Sequence, residues 1–351
     1  MAQARGYAAH SPTSGLSPID FERRELRPDD VAIEIDYCGV CHSDIHFVEN
    51  DWGITRYPVV PGHEIVGRVT AVGADVRQYQ PGDIVGVGCL VDSCRQCEAC
   101  ESGLEQYCLE GSTGTYNGID RHDGTVTFGG YSNRVVASER FVVRIPDTLD
   151  PANAAPILCA GITTYSPLRH YGVKAGDRVG VIGMGGLGHM GVKFAKALGA
   201  EVTLFTRSAG KVEEARKQGA DHVIISTDPE QMKAAREQFD FMLDTIPVQH
   251  DFNPYLQCLK FDGTHIIVGL LEPIDHAIHA AHLVGKRRVL AGSLIGGMPE
   301  TQEVLDFCAE HDIRCDIEML DMANIHEAYE RMKRGDVKYR FVIDMKSLND
   351  A

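Results

Sequence analysis

Arg178-Val-Gly-Val-Ile-Gly-Met-Gly-Gly-Leu-Gly188 joins a short apolar run to a glycine-rich turn, and apolar residues at helical spacing follow from residue 187 to residue 198. Gly183, Gly185 and Gly188 form a G-x-G-x-x-G pattern between the predicted strand and the predicted helix, the context that a dinucleotide-binding turn requires. Such glycines let the backbone approach a pyrophosphate, and the helix N-terminus offers free N–H groups. A purely structural turn is the alternative. The expected cofactor contacts of this turn are Gly183, Gly185, Gly186, Leu187 and Gly188.

Short apolar runs and helical stretches alternate on the C-terminal side of this turn. Such an alternation predicts a parallel sheet wound by helices, the doubly wound Rossmann arrangement. We expect this α/β domain to cover residues 155–295. The predicted elements after the turn are strands at 201–206, 221–225, 239–244 and 263–269 and a helix at 211–218.

The N-terminal part of the chain has many glycines and short β-type runs, separated by turn signals such as Pro81-Gly-Asp83. This pattern predicts an irregular, mostly antiparallel β domain over residues 1–154. The stretch 296–351, with one predicted helix at 300–311 and a closing strand at 339–344, is expected to return to this domain. The predicted β runs of the N-terminal part are 31–35, 65–72, 84–87 and 131–145.

Size and charge exclude several classes of protein. A chain of 351 residues is too long for one simple core, which agrees with two domains. Its formal net charge of −16 disfavours non-specific binding to nucleic acid or anionic lipid. No apolar run reaches the roughly 18 residues that span a bilayer. The N-terminal MAQARGYAAHSP lacks an apolar signal core, so we expect a cytoplasmic protein.

The end of the second predicted strand of the α/β domain indicates which dinucleotide binds. An NAD site normally has Asp or Glu there to hold both ribose hydroxyls. Here the strand ends in Thr206-Arg207-Ser208, with Lys211 nearby and no acid before Glu213. Arginine, serine and lysine side chains suit a 2′-phosphate, so these residues favour NADP(H). A solvated basic loop is the alternative.

Four cysteines lie within fifteen residues, as Cys94-x2-Cys97-x2-Cys100-x7-Cys108. Four thiolates on one short lobe can close a tetrahedral zinc site, which is structural because no position is left for substrate. An iron–sulfur cluster also uses four cysteines and is the competing interpretation. A disulfide framework fits less well, since the chain has an odd total of eleven cysteines.

A second candidate set is dispersed along the chain and consists of Cys41, His63 with the adjacent Glu64, and Cys159. Two thiolates and one imidazole would leave a fourth position open, as a catalytic zinc requires. Taken singly, each cysteine could be a small buried hydrophobe, and the histidine could be an ordinary loop residue. The spacing alone does not unite them.

Six motifs in order give the chain a family resemblance that runs from about residue 28 to residue 346. It resembles the zinc-containing medium-chain alcohol dehydrogenases, in particular the cinnamyl-alcohol-dehydrogenase-like branch with its broad-specificity NADP-dependent aldehyde reductases. The resemblance implies a GroES-like, mostly β catalytic domain in addition to the Rossmann domain, and an enzyme for aldehydes and primary alcohols that is usually a homodimer and sometimes a tetramer. The motifs are Gly39-Val-Cys-His-Ser-Asp44, Pro61-Gly-His-Glu64, the cysteine lobe, Cys159-Ala-Gly-Ile-Thr163, Gly183-Met-Gly-Gly-Leu-Gly188 and Gly292-Ser-Leu-Ile-Gly-Gly297.

The same resemblance assigns roles to single residues. It implies two zinc ions per subunit, one catalytic and one structural. It also implies that Ser43 contacts the reacting oxygen, that His46 ends a proton relay and that Glu64 lies beside the catalytic metal. The implied catalytic set is Cys41, His63, Glu64 and Cys159, and the structural set is Cys94, Cys97, Cys100 and Cys108.

Further cofactor contacts are implied by the family and not by spacing. Thr163 is expected near the nicotinamide, and His42 and Arg340 near the pyrophosphate or Glu64. The complete implied set outside the glycine-rich turn and the basic strand end is His42, Thr163, Gly292, Ser293, Leu294 and Arg340.

Substrate preference depends on fewer residues. Trp52 lies midway between Cys41 and His63, so both ends of its loop are tied to the expected zinc site, and its ring would offer a flat apolar wall. A core tryptophan unrelated to substrate is the alternative. Ile295 would add apolar lining, and no Arg or Lys lies close enough to clamp an anion. We therefore expect uncharged aldehydes with an apolar or aromatic body, reduced at neutral pH. The segments 117–130 and 270–276 follow no family pattern and are further candidates for the pocket.

Three other kinds of protein compete with this interpretation. A polyol dehydrogenase would share the fold and the zinc, but family analogy at Cys159 disfavours it. A zinc-free quinone reductase would lack the ligand set. A non-enzymatic relative of the fold would be expected to lose Cys41, His63 or Ser43, and each is present.

Overall fold

The structure is a computed structural model that describes residues 2–269 and 272–349. The chain divides into two compact units, one formed by Met1–Cys159 with Gly296–Ala351 and the other by Ala160–Ile295. No helix in the described part is long and apolar enough to cross a membrane.

The secondary structure of the described residues is numbered in chain order. The strands are β1 Ala2–Ala9, β2 Leu16–Arg23, β3 Asp30–Val40, β4 Ile65–Val72, β5 Ile84–Val87, β6 Leu90–Asp92, β7 Thr113–Gly114, β8 Arg134–Ser138, β9 Val143–Arg144, β10 Arg178–Ile182, β11 Glu201–Thr206, β12 His222–Ile225, β13 Phe239–Asp244, β14 Leu259–Ile267, β15 Val289–Gly292, β16 Ile317–Asp321 and β17 Arg340–Asp344. The α-helices are α1 His42–Glu49, α2 Glu98–Glu101, α3 Pro151–Ala154, α4 Ala160–His170, α5 Gly186–Ala197, α6 Val212–Lys217, α7 Pro229–Ala234, α8 Asn253–Leu256, α9 Ala281–Val284, α10 Met298–Glu310 and α11 Ile325–Lys333. Short 3-10 turns lie at Glu105–Tyr107, Glu139–Phe141, Ala155–Leu158, Ala209–Lys211, Met322–Asn324 and Met345–Asn349.

The first unit contains a seven-stranded sheet in the order β16-β17-β3-β4-β5-β9, with β8 paired to β3. β16 and β17 are parallel, and the other pairs are antiparallel. Apolar and polar side chains alternate along β3, so that Ile33 and Ile35 are buried while Glu34 is exposed. The predicted, mostly antiparallel β arrangement is therefore observed, and the closing strand β17 joins it by pairing with β3.

The C-terminal stretch of this unit has more structure than the single helix and strand that the sequence predicts. In this stretch, α11 and β16 are not among the predicted elements. At the other end of the chain, the hairpin of β1 and β2 is likewise not among the predicted elements. The buried face of α11 consists of Ile325, Ala328, Tyr329 and Met332, a helical spacing that is readable in the sequence. Because charged residues separate these four apolar positions, the helical pattern is less evident in the sequence than in the structure. The predicted run 131–145 is interrupted by the 3-10 turn between β8 and β9.

The cysteine lobe, which contains β6, α2 and β7, contacts the start of α10. The Oε2 atom of Glu105 accepts a hydrogen bond from the backbone N–H of Met298 at 2.9 Å. A side chain at Gly297 would overlap the carbonyl oxygen of Gly103. A carboxylate at a helix N-terminus satisfies a free N–H group and is attracted by the helix dipole. The lobe therefore fixes where α10 begins.

The second unit is built on a six-stranded parallel sheet in the order β12-β11-β10-β13-β14-β15. The chain leaves β10 toward β11 on one side and later adds β13 on the other, so a crevice opens at the carboxyl ends of β10 and β13. Gly183 has a φ of 92°, and a Cβ at Gly188 would overlap the carbonyl oxygen of Gly183. The predicted parallel sheet with a glycine turn between β10 and α5 is confirmed. The predicted helix 211–218 begins as the 3-10 turn Ala209–Lys211 and continues as α6.

A buried ionic cluster lies at the carboxyl end of β13. The Oδ2 atom of Asp244 is 2.8 Å from Nε2 of His250 and 3.0 Å from Nε2 of His265. Burial raises the pKa of Asp244, but the two histidines outweigh burial, and the pKa is lowered. Burial lowers the pKa of His250, but the Asp244 carboxylate outweighs it, and the pKa is raised. The cluster therefore stabilises the second unit when the aspartate and His250 are both charged.

Replacing Asp244 with asparagine should lower the free energy of unfolding by about 3 kcal/mol near pH 5.5, because the histidines lose a buried carboxylate. Stability from the lowered aspartate pKa is present above about pH 4 and is lost as the pH falls through the folded-state pKa. Stability from the raised pKa of His250 is present below about pH 6.5 and is lost as the pH rises through its folded-state pKa. Denaturant unfolding of both proteins between pH 4 and 8 measures the difference. A difference that does not vary with pH would contradict the assignment.

Candidate active site and metal centres

Four side chains with metal-binding atoms meet in the first unit. One ligand atom from each of Cys41, His63, Glu64 and Cys159 lies within 4.8 Å of all the others, and all four residues are buried. Cys41 immediately precedes α1, His63 and Glu64 precede β4, and Cys159 follows a 3-10 turn. The fold thus unites residues that spacing alone leaves apart.

The separations within this cluster fit a tetrahedral zinc ion. Zn–S bonds of about 2.3 Å and Zn–N bonds of about 2.0 Å place neighbouring ligand atoms roughly 3.5–3.8 Å apart. The Sγ atoms of Cys41 and Cys159 are 3.9 Å apart, and Nε2 of His63 is 3.2 Å from Sγ of Cys159. A hydrogen bond from the Cys159 thiol holds the pKa of Cys41 well below its ordinary value, which favours the thiolate that zinc binds. Two sulfurs and one nitrogen leave a coordination position for substrate.

Asp44 contacts the imidazole of His63 on the side opposite the sulfurs. Its Oδ1 atom is 3.2 Å from Nδ1 of His63. Burial alone lowers the pKa of His63, but the Asp44 carboxylate outweighs burial and raises it well above its ordinary value. In a neutral imidazole that ligates a metal, Nδ1 keeps its proton and donates a hydrogen bond to such a carboxylate. The contact therefore leaves Nε2 free for the metal.

Glu64 has a second partner in addition to the metal-binding atoms. Both of its oxygens face the guanidinium of Arg340, with Nε of Arg340 at 3.2 Å from Oε2, and both residues are buried. Burial raises the pKa of Glu64 to about 7, although Arg340 acts in the opposite direction. Gly39 of β3 provides room for this ion pair, because a Cβ at that position would overlap Oε2 of Glu64. Arg340 is therefore bound to Glu64, one of its two expected neighbours.

The second group of ligand atoms lies on the cysteine lobe. All four sulfurs of Cys94, Cys97, Cys100 and Cys108 are within 4.8 Å of one another. The Cys94 and Cys100 sulfurs are 3.8 Å apart, and those of Cys97 and Cys100 are 3.5 Å apart. Backbone N–H groups of Cys94, Cys97 and Leu109 donate to sulfurs of the group at 3.3–3.4 Å, which suits thiolates. So compact a set fits a single zinc ion better than a multinuclear iron–sulfur cluster, and it leaves no open position.

In the second unit the glycine-rich turn leaves space for a phosphate. A Cβ at Gly185 would meet no atom within 4 Å, and no side chain caps the N-terminus of α5 that follows. Free N–H groups at such a terminus bind phosphate. The Nζ atom of Lys211 donates a hydrogen bond to the carbonyl oxygen of Met184 at 3.2 Å, so this cation lies at the turn. Arg207 and Ser208, at the end of β11, are exposed.

Two family models match most of the chain. Residues 27–147 match the alcohol dehydrogenase GroES-like domain, and residues 186–310 match the zinc-binding dehydrogenase model. The chain belongs to the zinc-binding alcohol dehydrogenases. This alcohol dehydrogenase is 54% identical to the aldehyde reductase YahK of Escherichia coli K12 over 347 residues, 99% of each chain.

Solved structures of related enzymes resemble this alcohol dehydrogenase over nearly its whole length. The cinnamyl alcohol dehydrogenase SbCAD4 of Sorghum bicolor aligns with a TM-score of 0.95 at 44% identity, over 98% of each chain. The cinnamyl alcohol dehydrogenase of Helicobacter pylori, solved with NADP(H), aligns with a TM-score of 0.92 at 41% identity, over 98% of this chain and 99% of that one. The predicted family and the predicted GroES-like and Rossmann-type fold are confirmed.

The other expected residues of the first unit lie on or just after α1. His42 and Ser43 begin the helix and are half-buried. The Nδ1 atom of His46 is 2.7 Å from Oδ2 of Asp51, and both residues reach solvent. The ring of Trp52 packs against that of His46, with centroids 5.1 Å apart. Trp52 is half-buried on a loop and is therefore not a core tryptophan.

The expected cofactor and pocket residues of the second unit lie in α4 and at the end of β15. Thr163 is buried in α4, whereas Leu294 is 43% exposed. In the segment 270–276, residues 270 and 271 lie outside the described residues. The roles of all these residues stay predictions. The remaining members of the set are Gly292, Ser293 and Ile295.

The segment 117–130 is fastened to the first unit by charged and polar contacts. Arg27 donates to both carboxylate oxygens of Asp120, at 2.9 and 3.0 Å, and to Asp123 at 2.8 Å. Oδ1 of Asn117 accepts a hydrogen bond from the backbone N–H of Arg56 at 2.7 Å. The segment therefore supports the loop that carries Trp52, and its role in the substrate pocket stays a prediction.

Three residues around the Cys41 cluster carry no recognisable signal in the sequence: Cys89, Tyr116 and Tyr131. The thiol of Cys89 donates to the carbonyl oxygen of Leu158, the residue before Cys159, and the ring of Tyr116 lies 5.7 Å from that of His63. The hydroxyl of Tyr131 donates to Asp44. No local pattern links these positions to the metal ligands, because only the pairing of distant loops brings them together.

Proposed function

We propose that the protein is a zinc-dependent oxidoreductase that transfers a hydride between NADP(H) and small primary alcohols or aldehydes, chiefly in the direction of aldehyde reduction. The observation that carries the proposal is the open cluster of Cys41, His63 and Cys159, since it offers three metal ligands and leaves a position for a substrate oxygen. Similar proteins are named an aldehyde reductase and a cinnamyl alcohol dehydrogenase, which supports the same substrate class.

The open cluster would hold a catalytic zinc and the cysteine lobe a structural one. When bound, the catalytic zinc supplies a Lewis acid for the carbonyl oxygen, and NADPH supplies the hydride. Asp44 holds the proton on Nδ1 of His63, so that Nε2 stays a ligand. Ser43 would donate a proton to the reacting oxygen, and His46, which reaches solvent, would replace it. In the other unit, Arg207, Ser208 and Lys211 would bind the 2′-phosphate of the cofactor.

An NADPH-oxidation assay combined with metal analysis tests this proposal. We expect two zinc ions per chain and aldehyde-dependent oxidation of NADPH. Iron in place of zinc, less than one metal per chain, or no turnover with any aldehyde of a broad panel would overturn it. A polyol dehydrogenase would instead oxidise sugar alcohols in preference to simple primary alcohols.

Trp52→Ala should lower kcat/KM for benzaldehyde or cinnamaldehyde about tenfold, because the loss of an aromatic wall removes roughly 1.4 kcal/mol of contact with an aromatic substrate. Small aliphatic aldehydes should change much less. Trp52→Phe is the matched control, since it keeps a flat ring. Glyoxylate and a sugar phosphate should be poor substrates of the wild type. Better turnover of these anions, or unchanged aromatic kinetics in Trp52→Ala, would show that the pocket is assigned wrongly.

His46→Gln should slow alcohol oxidation about tenfold, most strongly at low pH, because glutamine cannot pass on a proton. Its zinc content should equal that of the wild type, since His46 is not among the clustered ligand atoms. His10→Gln, which changes a solvent-exposed histidine of the same unit, is the control. Loss of one zinc ion in His46→Gln would mean that this histidine is a ligand and not a relay.

We also infer a cytoplasmic homodimer. β15 is the edge strand of its sheet, and Val289 on it is 46% exposed. An exposed apolar edge is suited to pairing with a second copy. None of the cysteines in the described part of the chain forms a disulfide, as is usual in a reducing compartment. Light scattering should give twice the chain mass of 38.5 kDa, and a monomer mass would refute the dimer.

A further inference from the structure

We propose that Tyr131 is a positioning residue for the metal ligand His63 and acts through Asp44. The inference rests on the proposed function, because it assumes that the open cluster binds zinc. The phenol of Tyr131 is fully buried, and its hydroxyl donates to Oδ2 of Asp44 at 3.2 Å.

Asp44 receives four hydrogen bonds and has no contact with solvent. Oδ1 accepts from the backbone N–H of Gly62 at 3.1 Å and faces Nδ1 of His63 at 3.2 Å. Oδ2 accepts from the backbone N–H of Cys41 at 2.8 Å and from the hydroxyl of Tyr131. The carboxylate thus connects two metal ligands, Cys41 and His63. Tyr131 is the one donor of the four whose hydrogen bond a single-atom substitution can remove without changing the backbone or a ligand.

The backbone of Tyr131 also follows the loop that presents His63. The N–H of Gly130 donates to the carbonyl of Gly62 at 2.8 Å, and the N–H of Tyr131 donates to the carbonyl of Pro61 at 2.9 Å. A Cβ at Gly62 would come within 2.7 Å of Cδ1 of Tyr131, and Gly62 has a φ of 100°. Only glycine therefore lets the ring approach the residue before His63.

A buried arginine fixes the same segment from the other side. Arg23 of β2 donates to the carbonyl of Gly129 and to the hydroxyl of Ser132, both at 2.8 Å, and is 8% exposed. The residues on both sides of the Gly130–Tyr131 pair are therefore tied to a buried side chain. Without the hydroxyl, Oδ2 would keep only the N–H of Cys41, and the carboxylate that sets the direction of the His63 ring would be held by fewer contacts.

Tyr131→Phe tests the proposal, because it removes one buried hydroxyl and keeps the ring. The matched control is Tyr79→Phe, which removes a hydroxyl that donates to the carbonyl of Val142 at 2.7 Å, away from the metal ligands. Zinc release to a chelator should have two phases, one accompanied by loss of activity and one from the lobe. We expect Tyr131→Phe to speed the activity-linked phase about tenfold, as changes to groups that orient a ligand do.

In Tyr131→Phe, the rate of zinc release from the cysteine lobe should equal the wild-type rate. In Tyr79→Phe, the rates of both release phases should equal those of the wild type. In cobalt-substituted protein, Tyr131→Phe alone should shift the visible bands of the open site. An unchanged activity-linked phase, an equal change in both variants, or a Tyr131→Phe that does not fold while Tyr79→Phe does would overturn the proposal. Wild-type protein without zinc or turnover would instead show that the proposed function is wrong.

Discussion

Cys159→Ser should reduce turnover about a thousandfold while the protein stays folded. The loss of Lewis-acid stabilisation worth about 4 kcal/mol corresponds to that factor. A serine hydroxyl at this position keeps the size of the side chain but is a poor ligand for zinc. We expect one zinc ion per chain to remain, a thermal midpoint within a few degrees of the wild type, and almost no aldehyde-dependent NADPH oxidation.

Cys100→Ser is the matched change at the closed set, and its expected outcome is the reverse. Structural zinc contributes folding free energy, about 10–16 kcal/mol in isolated zinc-finger peptides. The lobe should therefore lose its order, and the thermal midpoint should fall well below that of Cys159→Ser, while the protein that remains folded keeps measurable turnover. The different roles of the two zinc ions are tested by calorimetry, zinc analysis and kinetics on the two variants. Two variants with the same profile would mean that the metals do not differ in role.

Arg207→Ala should erode the preference for NADPH over NADH by about 10–150-fold, measured as the ratio of the two kcat/KM values. A hydrogen bond between arginine and phosphate contributes about 1.5–3 kcal/mol, and NADH lacks the phosphate. Most of the loss should lie in the KM for NADPH, because the contact is remote from the hydride and is present before and during the reaction.

Arg216→Ala is the control for this variant, since it removes the same charge from an exposed position on α6. It should change the cofactor ratio by less than twofold. Equal efficiency of the wild type with NADH and NADPH would refute the assignment at once. A ratio that falls equally in both variants would indicate a general electrostatic effect and not a phosphate contact.

Sequence patterns reveal sites whose residues lie close together along the chain. The four lobe cysteines and the glycine-rich turn are of this kind, because a short segment can place the thiols around one ion and a strand–turn–helix can expose its own N–H groups. The basic end of β11 is likewise local. The dispersed set of Cys41, His63 and Cys159 required the family resemblance, since no local spacing connects them.

The partners of the carboxylates at the centre of the two buried polar clusters could not be predicted in the same way. Asp44 is joined by Tyr131 and Asp244 by His265 only after distant segments meet. Each of these side chains alone is an ordinary residue of a loop, helix or strand. Their partners depend on register and on loop packing, which hydrophobic periodicity does not specify.

Gly39 shows how a buried ion pair limits sequence variation. Its backbone conformation is that of an ordinary strand residue, so the glycine is not there to relieve backbone strain. It is required because Oε2 of Glu64 occupies the volume where a methyl group would lie. An alanine would push the Glu64 carboxylate away from Arg340. The two buried charged groups would then have neither hydration nor a charge of opposite sign beside them. In a library randomised at this codon, we therefore expect only glycine to be recovered in active protein, although Gly39 itself contributes no ligand atom to the metal cluster.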